Sequence, residues 1–281
     1  MDYLTKRITI DFARTYLPEM VKKAYANAPI IAEIVQNYHN CDFYAAFNEG
    51  SLSGLMSYDL RSQFKSVNFF CTDPYCIPHL LRKLLNEEPD IKSEPVYSLL
   101  DSRSKDILED GGHLIEFMPQ YRMRYNPARI KLHKIPDDIL IKRLNDEDIP
   151  EISRIYSTVP AMAWDSRLLL CGPYYGAFDR SVLVAIAGVQ FNTGYVAEVG
   201  NIVSLPMYRR KGLARACTQA VLSEVARENK TVFLCVDTVN IPAINLYLDM
   251  GFDVTDTSYM CKFTAVPISF QSAYGLNDSE Y

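Results

Sequence analysis

One stretch constrains the fold of this chain more than any other: Val199-Gly200-Asn201-Ile202-Val203-Ser204-Leu205-Pro206-Met207-Tyr208-Arg209-Arg210-Lys211-Gly212-Leu213-Ala214-Arg215-Ala216. An apolar segment enters a Pro-bearing turn, passes through a short basic loop holding a glycine, and leaves into a helix. Leu213, Cys217, Ala220, Val221 and Val225 keep one face of that helix apolar at spacings near 3.6. Glycine at the turn admits close approach of the backbone to a ligand, because no Cβ intervenes. The first amides of a helix lack intrahelical acceptors and stand at the positive end of its dipole, which suits a phosphate or pyrophosphate. Arg209, Arg210, Lys211 and Arg215 gather positive charge around the same turn. The stretch therefore predicts a diphosphate cradle.

Neither of the two commoner phosphate patterns, Gly-x-x-x-x-Gly-Lys-Ser/Thr or Gly-x-Gly-x-x-Gly, is present. What stands here is Arg209-x-x-Gly212-x-Ala214, followed by Asn240-x-x-Ala243-x-x-Leu246-Tyr247-x-x-x-Gly251-Phe252, with the strand-like run Val232–Val236 between them. In that order the two signatures resemble those of the GCN5-related N-acetyltransferase (GNAT) superfamily. The resemblance covers the C-terminal half. It implies a mixed, mostly antiparallel central sheet flanked by helices, with acetyl-CoA as co-substrate. By the same resemblance, backbone amides from Arg210 through Arg215 (Lys211, Gly212, Leu213 and Ala214 between them) contact the pyrophosphate. The strand edge at Ile202 and Val203 pairs with the pantetheine arm, Asn240 and Ala243 lie at the cofactor, and Tyr247 points its hydroxyl at the leaving thiolate. Two central parallel strands are expected to splay apart there and leave a slot for the thioester.

The chain of 281 residues, 48% hydrophobic and 22% charged, reads as an α/β protein of two domains. A net charge of −5 argues against a nucleic-acid partner, which would meet a broad basic surface. No apolar run approaches the roughly 20 residues needed to span a bilayer, and Met1-Asp2-Tyr3-Leu4-Thr5-Lys6 lacks the form of a signal peptide. Seven scattered cysteines without Cys-x-x-Cys read as reduced thiols of a cytoplasmic protein. Cys71, Asp73, Cys76 and His79 lie close together, but two thiols and one imidazole fall short of a zinc set, so no metal is expected.

Along the first half, Phe12, Tyr16, Met20 and Val21 suggest a helix over the first 25 or so residues, and Ile30, Ile31, Ile34, Val35 and Tyr38 a second. Asp42–Phe47, Leu52–Tyr58, Val67–Cys71 and His113–Tyr125 read as strands, Tyr75–Leu85 as a helix, and 92–110 as mixed with a short helix. Gly50-Ser51-Leu52-Ser53-Gly54 matches a nucleophile elbow, but a strand-like run follows Gly54 where that chemistry needs a helix. No counterpart of the cradle signature occurs in this half. It is expected to be a degenerate GNAT-like domain, as in tandem members resembling glycine N-acyltransferase or FR47-like enzymes, or else an unrelated α/β cap. The junction is set at the polar, Pro-bearing Arg124–Arg129, giving domains 1–128 and 129–281. In the second half, strands are expected at 139–144, 174–178, 182–190, 195–203, 232–237 and 258–263, with helices through Ile149–Ile155 and over Ile241–Met250. Residues 277–281 are polar and expected to fray.

Acyl transfer to an amine needs the amine neutral and the thiolate protonated. A lysine-like amine with pKa near 10.4 is only about 0.04% neutral at pH 7, so a base is worth about 10²–10⁴-fold. Glu198, just before Val199-Gly200-Asn201, is the candidate base, with a solvated strand carboxylate as the alternative. Tyr247 is the candidate proton donor, with a core tyrosine as the alternative. Asn201 and Trp164 are weaker candidates for the acceptor side. Cys217 and Cys235 raise an acyl-cysteine route, but their apolar settings favour buried structural thiols. The expected function is transfer of acetyl from acetyl-CoA to a primary amine by direct attack. The expected acceptor is a small molecule, or a protein lysine. A non-catalytic acyl-CoA-binding regulator and an enzyme for longer or aromatic acyl groups are the alternatives. Oligomeric state is not legible.

Overall fold

A computed structural model of the chain describes residues 2–59, 65–129, 139–159, 164–226 and 230–268. The first half runs β1 (Leu4–Ile8), α1 (Ile10–Arg14), α2 (Leu17–Met20), α3 (Ala28–Ala32), β2 (Cys41–Asn48), β3 (Ser51–Asp59), β4 (Ser66–Cys71), α4 (Ile77–Glu87), β5 (Val96–Leu100), α5 (Ser102–Asp110) and β6 (Leu114–Tyr125). The second half runs β7 (Ile139–Arg143), α6 (Ile149–Thr158), α7 (Leu168–Cys171), β8 (Tyr175–Asp179), β9 (Val182–Asn192), β10 (Val196–Ser204), α8 (Leu213–Val225), β11 (Thr231–Asp237), α9 (Ile241–Asp249) and β12 (Phe252–Phe263). The two halves thus repeat one order of elements: a strand, helices, three strands, a helix, a strand, a helix and a last strand.

The chain divides into two units, one of residues 1–120 with 257–281, the other of residues 121–256. The division falls at 120/121 where 128/129 was expected, and it places the end of β12 in the first unit. In the first unit the strand order is β1-β2-β3-β4-β5, completed by the end of β12, which pairs antiparallel with β5 from Tyr259↔Leu100 to Phe263↔Val96. In the second it is β7-β8-β9-β10-β11, completed by the end of β6. Each unit therefore takes its last strand from the opposite half of the sequence.

The first unit packs α4 on its sheet through Ile77, Leu80, Leu81 and Leu84, an i, i+3, i+4, i+7 stripe that is fully buried. Two expectations change here. Leu4–Ile8 is a strand paired antiparallel with β2 where the sequence suggested helix, and β5 emerges from the stretch read as mixed. Gly54 serves packing: a Cβ there would stand 2.6 Å from Cys76 Sγ and 3.1 Å from Cys71 Sγ, so the two sulfurs nest over the bare backbone. The turn from β4 into α4 shows why this unit has no cradle. Asp73 accepts from the Tyr75 amide at 3.2 Å and so caps a short 3-10 turn, Pro74–Cys76, that stands between β4 and α4. Tyr3 donates to the same carboxylate at 2.5 Å, and Pro74 and Pro78 remove two amides. Among the described residues no group of three or more His, Cys, Asp or Glu could hold a metal ion.

In the second unit α8 lies on one face of the sheet, packing Leu213, Cys217, Val221 and Val225 into a core with Ala185, Ala197, Val199 and Leu234. Hairpin β8–β9 turns at Asp179-Arg180, with Arg180 at φ 57. The closing strand begins at Phe252, six residues before the expected Ser258. Residues 277–281 lie outside the described residues.

Candidate active site

The site is built where two parallel strands part. β10 and β11 pair at Val196↔Thr231, Ala197↔Val232 and Glu198↔Phe233, and at no later position. On its other side β10 keeps pairing with β9, but through two irregularities: Glu198 faces Phe191 while Val199 faces Val189, and then Gly200 faces Gly188 and Val203 faces Ile186, leaving Asn201 and Ile202 opposite a single residue. Asn201 takes φ 52, a left-handed conformation that asparagine tolerates better than most residues. Its position is fixed from all sides. Tyr156 donates its hydroxyl to the Asn201 carbonyl at 2.6 Å, Gln190 Nε2 donates to Asn201 Oδ1 at 3.1 Å, and Asn201 Nδ2 donates to the Tyr174 hydroxyl at 2.9 Å. Tyr174 in turn donates to the Val189 carbonyl at 2.9 Å, and its ring lies on Gly188, where a Cβ would meet ring carbon at 2.1 Å. Trp164 stacks on Tyr156 at 5.1 Å and meets Tyr174 edge-on at 5.5 Å. Asn201 and Trp164 thus both belong to the frame that bends β10 away from β11.

Between the parted strands lies a cleft of about 240 Å³, lined by Val199, Gly200, Asn201, Ile202 and Val203 of β10, Leu234, Cys235, Val236 and Asp237 of β11, and Asn240 and Tyr247. Asn240 caps α9 by accepting from the Ala243 amide at 3.3 Å. Tyr247, two turns on from that cap, packs its ring edge-on to Phe252 at 6.0 Å. Burial pushes its phenol up to about 12. The hydroxyl has no hydrogen-bond partner among the described residues, and it stays protonated throughout the neutral range.

The basic loop stands beside the end of β10. Gly212 takes φ 79 directly before α8, with nothing within 4 Å of where a Cβ would sit, and Arg210 takes φ 65. The Ala216 amide bonds back to the Gly212 carbonyl at 3.0 Å, so the amides of Leu213, Ala214 and Arg215 precede the first turn's bonding and remain for a ligand. Arg209, Arg210, Lys211 and Gly212 are exposed, while Leu213 is buried in the core. Arg209 Nε reaches the Ser204 carbonyl at 3.5 Å, and Lys211 lies over the Tyr208 ring at 4.7 Å. Arg215 departs from the expected arrangement. Its side chain is buried and paired with Asp249 of α9 at 3.3 Å, so its charge ties two helices together and only its amide faces the cradle. These residues suit a pyrophosphate: bare amides, a glycine that leaves the approach open, and three exposed cations.

Glu198 is outside the group that lines the cleft. It sits at the last paired position of β10, facing Phe191 on β9 and Phe233 on β11. Those two rings approach to 6.2 Å across the strand between them. Burial under them raises the carboxyl to about 7, while Arg122 and a hydrogen bond from the Cys235 thiol act in the opposite direction. The sequence marked Cys235 only as a possible acyl carrier and did not mark Arg122, which arrives on β6 with no local pattern linking it to β10. The two thiols raised as acyl carriers are both held neutral. Cys217 is fully buried and pushed up to about 12 by that burial, and burial first and then Glu198 raise Cys235 well above the usual thiol range. An un-ionised thiol is a poor nucleophile.

Comparison with known proteins agrees with the fold. Residues 174–261 match the family model described as FR47-like protein. Among solved structures, the chain is similar to a Drosophila protein at 18% identity and a TM-score of 0.70, over 94% of this chain and 99% of that one. It is similar to a GCN5-related N-acetyltransferase from Sphaerobacter thermophilus at 14% identity and 0.62, over 94% and 96%. A tandem GNAT protein from the clavulanic acid biosynthesis pathway aligns at 12% identity and 0.61, over 95% and 99%. At these identities the likeness concerns the fold. No curated protein sequence matches the chain. Among the described residues no helix is long and apolar enough to cross a membrane.

Proposed function

We propose, on the premise that the chain belongs to the GCN5-related N-acetyltransferase superfamily, with an FR47-like segment at residues 174–261, that it transfers an acetyl group from acetyl-CoA to a primary amine. Acyl transfer is the business of that superfamily; acetyl as the group moved and a small-molecule amine as its acceptor are the finer reading. One observation carries it: β10 and β11 part beside helix amides that precede the first turn's bonding, and the cleft so opened is walled by a phenol without a hydrogen-bond partner among the described residues.

The residues divide the chemistry as follows. Amides from Arg210 through Arg215, with the cations of Arg209, Arg210 and Lys211, hold the diphosphate. The free edge of β10 at Ile202 and Val203 takes the pantetheine arm, and Asn240 and Ala243 flank it. A neutral amine attacks the thioester carbonyl, forming the C–N bond as the C–S bond breaks. The proton lost by the amine passes by way of water to Glu198, just outside the cleft, whose carboxyl near 7 is matched to base work at neutral pH. The departing thiolate takes its proton from Tyr247. With Cys217 and Cys235 neutral, direct attack is favoured over an acyl-cysteine route.

The test is thiol release from acetyl-CoA against amino acids, polyamines and a lysine peptide, with Tyr247→Phe and Glu198→Gln beside wild type. Turnover of one amine that falls at least tenfold in both variants, with CoA binding retained, supports the reading. Tight CoA binding with every amine untouched turns it towards a non-catalytic acyl-CoA sensor. Turnover only with longer or aromatic acyl-CoA replaces the acetyl group but keeps the chemistry.

A further inference from the structure

We propose that Arg122 is a positioning residue for acyl transfer: its buried guanidinium, brought in on β6, acts through the Cys235 thiol to orient the Glu198 carboxyl beside Phe191 and Phe233. The inference rests on the reading of Glu198 as the base and adds what makes that base workable.

The geometry begins with the sheet. Residues directly opposite on neighbouring strands project to the same face, so Phe191, Glu198 and Phe233 form one row. Rings from β9 and β11 that meet at 6.2 Å flank β10 between them and leave Glu198 half-buried. Cys235 stands two residues beyond Phe233, hence on the same face of β11, diagonal to Glu198. Helix α8 packs on the opposite face, through Ala197 and Val199, so it brings no charge to this row. The ionisable groups acting on Glu198 are Arg122 and Cys235, from β6 and β11; β9 offers the apolar Phe191.

Arg122 is only 5% exposed, and its Nε has no hydrogen-bond partner. A guanidinium so buried is costly unless its charge is answered. Its interactions run to Glu198 and, by donation, to the Cys235 sulfur, and the Cys235 thiol donates to the carboxylate. The three groups form a relay across β6, β11 and β10. A carboxylate under two phenyl rings with no such support would hold its proton well above neutrality and could not accept one from an amine.

The experiment is a ¹³C-carboxyl NMR titration of Glu-labelled full-length protein, with the Glu198 signal assigned by its loss in Glu198→Gln. In wild type the midpoint falls near 7. Arg122→Gln should raise it by about one pH unit or more, a tenfold change in proton affinity. Arg122→Lys, which keeps the charge, should stay within about half a unit of wild type, and Cys235→Ala should lie between. An unmoved midpoint in folded Arg122→Gln overturns the inference. Should that variant not fold, an unmoved midpoint in Cys235→Ala overturns it instead. The base reading fails separately, if Glu198→Gln turns over an amine as fast as wild type, because the titration needs no acceptor.

Discussion

Tyr247→Phe removes one oxygen from the wall of the cleft and leaves the ring in place. The ring's packing on Phe252 at 6.0 Å survives, and the lost hydroxyl has no hydrogen-bond partner among the described residues. Such a change costs the fold no more than about 0.5 kcal/mol, which moves the melting midpoint by about 1–2 °C. Function responds on another scale. A positioned proton donor contributes about 10²–10⁴-fold, or roughly 2.7–5.5 kcal/mol of barrier. Thiol-release kinetics with acetyl-CoA and the accepted amine should therefore show kcat down by about 10²-fold or more, with CoA affinity unchanged by calorimetry. Because the phenol lies near 12, the wild-type rate should show no loss from this group at any pH below about 11. A variant within threefold of wild-type kcat whose melting midpoint drops by several degrees would return Tyr247 to the core and refute the donor argument.

Three further outcomes are expected. Gly212→Ala meets no clash but must hold φ 79, so it should cost about 1 kcal/mol of stability and weaken CoA binding about tenfold by calorimetry, a methyl now standing at the cradle. Gly54→Ala drives a Cβ to 2.6 Å from Cys76 Sγ and should lower stability by about 1–3 kcal/mol in urea unfolding, with much of the loss recovered when Cys76→Ala is added. Glu198 and Glu33 are both raised by burial, to about 7 and about 8. For a carboxyl whose folded value lies above its unfolded one, the stabilising form is the protonated one, so that stability is full below about 4.5 and lost as pH rises through 7 and 8. Melting midpoints should fall between pH 5 and pH 8.5, and Glu198→Gln, neutral throughout, should fall less and melt higher than wild type at pH 8. A flat pH profile would count against both burials.

What could be read ahead of the structure followed the range of the interactions concerned. The cradle was legible because its parts (bare helix amides, Gly212 and the basic run) are consecutive. Asn240 and Tyr247 followed for a similar reason, one helix carrying both. β1 escaped because Leu4-Thr5-Lys6-Arg7-Ile8 alternates weakly and is half polar, as an edge strand can be when its partner supplies the pairing. The start of β12 escaped because Asp253, Thr255 and Asp256 interrupt any apolar run. The parting of β10 from β11 depends on a bulge held by Tyr156 of α6, Tyr174 just before β8 and Gln190 of β9, and periodicity carries no register. Arg122 illustrates the limit most plainly: its meaning lies in residues 76 and 113 positions away. Side-chain identity predicted Arg215 as a cradle cation, and only the placement of Asp249 shows its charge spent elsewhere.

The exchange of last strands between the halves has a consequence for how the chain is made. The first unit's β5 ends at Leu100, but the strand that covers its edge ends at Phe263 and leaves the ribosome about 160 residues later, on the order of ten to thirty seconds at ordinary synthesis rates. Through that interval β5 presents unpaired backbone groups, a template for pairing with other chains. The N-terminal half therefore waits for the C-terminal half, and a strand made late finishes the first unit begun. A chain cut at the mid-sequence junction would leave each piece short of an edge strand, so neither half is a natural unit of expression, of truncation or of recombination.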